Sequence, residues 1–337
     1  MAVGKGNRIL YLKPKFDVIM GTAIKKQNLQ DWITQQWVIL FGKKIDKREQ
    51  KWLLGPFGEL NGIGSKFIKQ LAAKEHLTID TDSKGKGLIQ SIHQLNLPAK
   101  KLEVLSEHVI DFYQNTADYQ LKLKVNWNPF FKIFGVLLTV IFSKRIEQLN
   151  IPNRSIESAE TLTSDLIHLV DPKTNQVKRT IWFRAFQETG QVVYSGVYET
   201  CAIPSGRTCI KAIFPLPNGS ATVILIPTVG KNGELILESA GNRFGDSGFY
   251  FLLKDSKEQL WAKYIKSFKD KLVVRSENEN ITATQTLTLW NLRVLKFEYE
   301  IKKHTLPRSE KEKKLIALTF GILNLGLGMY FHRENPS

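Results

Sequence analysis

The sequence predicts an α+β protein: a helical N-terminal half, a large antiparallel β-meander curled toward a barrel, and a C-terminal apolar helix. Three observations carry this reading. Apolar residues recur at helical spacing up to about residue 150, they alternate with period two from about residue 160, and a charge-free stretch runs from Leu315 to Phe331. A chain of 337 residues exceeds most single cores, so it divides into a helical basic region (1–152), an antiparallel β-domain (153–302) and a C-terminal apolar helix (303–337).

In the first region, helical patterns run from Trp32 to Phe41 and from Ser65, a candidate N-cap, through Phe67, Ile68 and Leu71 to His76. A third places Leu102, Leu105, Val109 and Phe112 at i, i+3, i+7 and i+10 behind Pro98, which predicts one helix with one buried face. Gly-rich breaks at 55–64 and 85–87 separate them. The first of these, Gly58 to Lys66, faintly resembles a phosphate loop, but its spacing and the poor strand before it favour a simple helix-entry turn. After Trp127, Asn128 is placed to cap and Pro129 suits a first helical turn. The apolar run from Phe130 to Phe142 then rises only about 20 Å as helix, too short to span a bilayer.

In the second region, turn signals arrive at Asp171–Asn175, Glu188–Gly190, Pro204–Gly206, Pro217–Gly219, Lys231–Gly233, Lys254–Lys257 and Glu277–Asn280. They delimit nine or ten strands, enough for a twisted sheet to curl toward closure. The last hairpin identifies its buried face: Ile281, Ala283, Leu287 and Leu289 alternate with threonines, and Leu295, Phe297, Tyr299 and Ile301 with charged residues. Tyr194 and Tyr198 beside Gly196, and Tyr264 with Phe268, add large side chains. Such an interior must be filled by aromatics, by a helix from the first region, or by a ligand.

Net charge is +16, and residues 1–152 hold 23 Lys+Arg against 13 Asp+Glu. A basic excess attracts nucleic acid, anionic lipid or acidic partners without choosing among them. Of the 48 cations 36 are lysine, which lacks the bidentate fork of a base reader. The N-terminus shows no secretory h-region and the two cysteines form no disulfide framework, so a cytoplasmic, membrane-associated protein is expected. Cys201 and Cys209 flank the Pro204–Gly206 turn symmetrically and should face each other as free thiols.

Chemistry is sparse. The histidines have no metal-ligand spacing, so no metal or cofactor is expected. His168 sits on a strand whose Asp165 and Asp171 point to the other face, and His108 reads as an ordinary helix-surface histidine. The candidate ligand-binding loop is Ala240–Phe251, with three glycines, the polar trio Asn242, Arg243 and Asp246, and Tyr250; Tyr194 and Tyr198 complete the expected site.

Three functions stay open. The first is a module that binds an apolar small molecule or lipid at an anionic membrane surface. The second is an enzyme on such a ligand, using Arg243, Asp246 and Tyr250. The third is a nucleic-acid or protein adaptor using the basic cluster Lys43–Lys51. The tail at Leu315–Phe331, about 25 Å as helix, reads better as an interfacial or packed helix than as a span.

Overall fold

A computed structural model describes residues 29–58, 65–80, 86–131, 152 and 155–304. The apolar run after Phe131, most of the Gly58–Lys66 turn and the Leu315–Phe331 tail lie outside these residues.

Ten strands close into one antiparallel barrel: β3 (Tyr119–Trp127), β4 (Ile156–Val170), β5 (Val177–Phe186), β6 (Val192–Ala202), β7 (Thr208–Leu216), β8 (Gly219–Val229), β9 (Leu235–Glu238), β12 (Phe268–Glu277), β13 (Asn280–Leu289) and β14 (Leu292–Lys303). Closure depends on β8 changing partners. Its first half, Gly219–Ile224, pairs with β10 (Gly248–Lys254), whereas Ile226–Val229 pairs with β9. β11 (Leu260–Tyr264) and β1 (Lys43–Lys44) then extend the β10 branch outside the barrel wall. The long strand β4 splits likewise, between β3 and the short β2 (Thr78–Asp80).

The expected turns are all present. Asn175, Gly190, Gly206, Asn218, Gly233 and Asn278 take positive φ, the left-handed backbone that tight hairpins require. Strands enclosing a core alternate their side chains, so β3 buries Tyr119, Leu121, Leu123, Val125 and Trp127 while the residues between are half-buried or exposed. In β7 and β8 nearly every residue is buried, because the outer face is covered too.

The cover comes from the N-terminal chain, where the sequence reading needs correction. Its helices are short: α1 (Leu29–Phe41), α2 (Ser65–Glu75), α3 (Ala99–Leu102) and α4 (Glu107–Gln114). The single helix expected through Leu102–Phe112 is broken at Ser106, whose N–H donates to the carbonyl of Gly233 in the β8–β9 turn. A tertiary bond there outweighs local periodicity. The first barrel strand also precedes residue 152, so the sheet is not confined to 153–302.

On the outer face, Phe67, Ile68, Leu71 and Ala72 of α2 pack on Ile167, Leu169, Ile181, Val197 and Ile213. A charge ladder fastens this cover. Arg179 on β5 donates to both carboxylate oxygens of Glu75 at 3.0 Å and to Glu199 on β6 at 2.6 Å. Lys211 on β7 reaches Glu199 at 2.7 Å and donates to the carbonyls of Trp52 and Leu54 at 2.9 and 2.6 Å. With its ammonium buried and fully engaged, Lys211 ties the 52–54 segment to the barrel. The Lys211→Ala variant should lose about 3–5 kcal/mol of stability in urea unfolding, because it leaves one Glu199 oxygen and two carbonyls without their cation, with only Arg179 still on Glu199. Lys124→Ala, which breaks only the exposed pair with Glu300, should lose under about 1 kcal/mol.

Candidate functional site

One end of the barrel is capped by residues 86–118, a short 3-10 turn at Ile92–Leu95 followed by α3 and α4. Leu88, Ile89, Val109, Phe112 and Tyr113 enter the barrel core. Polar contacts latch the cap to the rim. Lys101 donates to the Val229 carbonyl at 3.1 Å, and Asp111 accepts from Asn115, Lys303 and the Tyr119 hydroxyl. Burial pushes the Asp111 carboxyl up, but these hydrogen bonds outweigh it and hold its pKa below the ordinary value. His168 stands under the same cap, its Nε2 3.4 Å from the Gly87 carbonyl, and burial keeps it below the usual imidazole pKa.

Beneath the cap the side chains leave a cavity of about 100 Å³. Most of its wall is apolar, including Phe112, Leu121, Phe214, Val223, Leu237 and Ala283. Gly196 helps keep the space open around the aromatic rings, since a methyl group there would meet Phe214 at 3.0 Å and Tyr198 at 3.2 Å.

Set into this wall are Arg184 (β5), Tyr198 (β6), Asp270 (β12), Gln285 (β13) and Tyr299 (β14), with Tyr113 of α4; Glu199 also borders it, its carboxylate held by Arg179 and Lys211. Arg184 lies 3.8 Å over the Trp182 ring and donates to the Tyr198 hydroxyl oxygen at 3.1 Å. Trp182 is itself held by its indole N–H to Ser164 Oγ at 2.9 Å. Asp270 accepts from the Gln285 amide at 2.7 Å through Oδ2, and its backbone N–H donates to Ser239 Oγ at 2.7 Å. Its other carboxyl oxygen, Oδ1, and the Tyr299 hydroxyl have no well-formed hydrogen bond among the described residues.

Burying polar atoms without partners is costly, so these two mark the cluster as unusual. Burial raises Asp270 to about 7, with the Gln285 hydrogen bond opposing. It also raises Tyr299 to about 12, against the pull of nearby Arg184. The Tyr198 phenol is shifted upward as well, mainly by burial.

Of the six residues expected to bind ligand, Tyr198 alone lines this cavity, while Tyr299, Ala283 and Ile301, read in the sequence as buried face, line it too. Tyr194 lies on β6 opposite Arg184 in the backbone register, and its side chain is not among those described. The Ala240–Phe251 loop packs elsewhere, on the outer flank. Asp246 there accepts the backbone N–H groups of Asn242 and Arg243 at 3.0 and 3.1 Å, and the exposed Arg243 side chain pairs loosely with it at 3.9 Å. Tyr250 is fully buried between Trp52, Phe244 and Tyr264, its hydroxyl bound by the loop backbone. The loop is therefore closed by its own polar groups.

Arg184, Asp270 and Gln285 escaped the sequence reading although a signal was present. Each occupies the inward register of its strand, in Trp182–Arg184–Phe186, Phe268–Asp270–Leu272 and Ala283–Gln285–Leu287. Cys201 and Cys209 do face each other across β6 and β7 as free thiols, both raised by burial, to about 11 and about 12. No trio of His, Cys, Asp or Glu among the described residues is placed to hold a metal ion.

Fold and site together define a capped ten-stranded antiparallel barrel with a polar cluster inside an apolar cavity. The chain is 22% identical over 274 residues, 80% of its length, to a protein of Bacillus subtilis (strain 168) named "Uncharacterized membrane protein YndJ". It spans 47% of that relative's length. No family model matches the chain, and no solved structure matches it. Among the described residues no helix is long and apolar enough to cross a membrane.

The Asp270 carboxyl gives a pH prediction. An unfolded aspartate titrates near 3.8 and burial moves the folded one to about 7, so between these values the folded protein holds the extra proton. Stability should therefore fall as pH rises from about 4 to about 7 and then level off. Asp270→Asn should remove this slope. Above pH 7 it should be more stable than the parent by up to about 4 kcal/mol, an upper limit at about 1.4 kcal/mol per pH unit; urea unfolding at pH 4.5 and 8 measures it.

Proposed function

We propose that the protein is a binding barrel for a small, largely apolar molecule, working at an anionic membrane surface. The observation that carries the first part is the capped apolar cavity with its buried polar cluster. Small-molecule sites are concave and mostly apolar, with a few polar groups that fix orientation. The volume decides the size class. An apolar cavity of about 150 Å³ takes up benzene, so about 100 Å³ suits on the order of four to six non-hydrogen atoms. A whole acyl chain would require the α3–α4 cap to move.

Support for the membrane surface comes from α1. Its inner face, Val38 and Ile39, packs on Leu253, with Phe251 and Trp261 against them, while Ile33, Leu40 and Phe41 are more than half exposed beside Trp32 and Trp37. Lys263 stands 5.9 Å from both the Trp37 and the Phe41 rings, and exposed Lys43 and Lys44 follow directly. Exposed aromatics ringed by lysines match the demands of an interfacial site on anionic lipid. The name of the Bacillus subtilis relative, a membrane protein, agrees with this setting.

Two measurements test the reading. Benzene should raise the melting temperature of the parent and much less that of Ala212→Leu or Ala283→Leu, which fill the cavity; an unchanged parent would count against an apolar cavity. The double variant Ile33→Ser with Leu40→Ser should bind phosphatidylserine vesicles at least tenfold more weakly. The parent's binding should itself weaken with salt.

A further inference from the structure

We propose that the ligand is a small monocarboxylic acid whose carboxylate is received by Arg184, Tyr198 and Tyr299, with Asp270 supplying a hydrogen-bonding proton. The inference rests on the cavity reading above and adds the chemistry of the ligand's head.

Hydrogen-bond donors outnumber acceptors in the cluster. Arg184 donates to the Tyr198 oxygen, which leaves the Tyr198 hydroxyl hydrogen to point elsewhere. Tyr299 adds a second phenol hydrogen, buried and without a well-formed partner. Gln285 uses one amide hydrogen on Asp270 and has another. Against these donors the cavity offers few acceptors: the Asp270 carboxyl, and Glu199, whose carboxylate is already engaged by Arg179 and Lys211. A cavity rich in donors and holding a guanidinium complements an acceptor-rich anion. It opposes an amine, whose cation would face Arg184 across a medium of low dielectric.

Asp270 decides how the anion is accommodated. Its Oδ1 lacks a partner in the cavity wall, and an ionised Asp270 would repel a bound carboxylate. Burial keeps the proton on this group up to about pH 7. A protonated Asp270 donates to the ligand instead, so that the two carboxyl groups share one proton as like-charged pairs do at close range. The groups around Asp270 in the cavity are Gln285 on β13, Ser239 just after β9, Arg184, Tyr198 and Tyr299 from the other strands, Tyr113 from α4, and Glu199, which is paired with Arg179 and Lys211. Burial places the Asp270 pKa at about 7. Binding then takes up a proton above that pH. The volume points to an acid about the size of butanoate.

The experiment is an NMR titration of the full chain with sodium butanoate, 1-butanol and benzene at pH 6 and pH 8. Butanoate should shift cavity resonances at least tenfold more tightly than 1-butanol at pH 6, and weaken up to tenfold by pH 8. Asp270→Asn should flatten that pH dependence. Tyr299→Phe keeps the ring and loses the hydroxyl, so it should lower butanoate affinity at least fivefold and leave benzene uptake intact. Its melting temperature should change little, since the ring is kept and the lost hydroxyl makes no well-formed hydrogen bond. Arg184→Met should abolish the preference for the acid. If benzene and 1-butanol enter but butanoate binds no better than 1-butanol, the carboxylate assignment is wrong and the cavity reading stands. If none of the three enters, the cavity reading itself fails.

Discussion

Everything in this molecule depends on the pairing of β8 with β9. A meander can remain an open, twisted sheet with two edges; here the second half of β8 leaves β10 and turns to β9, and ten strands become a ring. Closure removes edges from that ring, so its backbone polar groups are satisfied between strands. It also creates an inside. The register then consigns every second side chain of each strand to that interior, whatever its chemistry. The β10–β11–β1 branch released at the split becomes part of the outer layer.

The two faces of the wall treat buried charge in opposite ways. Outside, Glu75, Arg179, Glu199 and Lys211 form a ladder in which carboxylates meet cations and the buried ammonium also binds two carbonyls. That arrangement repays desolvation and reads as structure. Inside, Asp270 and Tyr299 are buried at the cavity with hydrogen-bonding capacity left over. Raised pKa values accompany this incomplete satisfaction. The contrast separates a structural network from a candidate site within a single barrel wall.

Much of the fold was legible in the sequence because it is governed by local rules. Period-two alternation marked the strands, and Gly190, Gly206 and Asn218 marked turns through their tolerance of positive φ. The symmetry of Cys201 and Cys209 about Pro204–Gly206 located a hairpin register that the structure reproduces. The helix expected through Leu102–Phe112 misled because its periodicity survives a break at Ser106, where the chain bonds to a distant turn. The Ala240–Phe251 loop was legible as a polar connection, but not its place apart from the cavity. Its polar residues resemble a recognition loop in sequence, but Asp246 spends its hydrogen bonds on the loop's own backbone.

By itself the sequence determined the curled antiparallel sheet, its turns and its buried face, since these follow from the chirality and alternation of a few neighbouring residues. It even held the inward position of Arg184, Asp270 and Gln285, as polar residues interrupting apolar registers. Only the tertiary structure decided that these residues face one another. Arg184 and Asp270 are 86 positions apart, and their meeting depends on ring closure and on which strands come to lie across the interior. The size of the cavity was likewise undecided in the chain, because it is the space left after the barrel wall and the Leu88–Tyr113 cap have packed against each other, a difference between large volumes that no local pattern encodes.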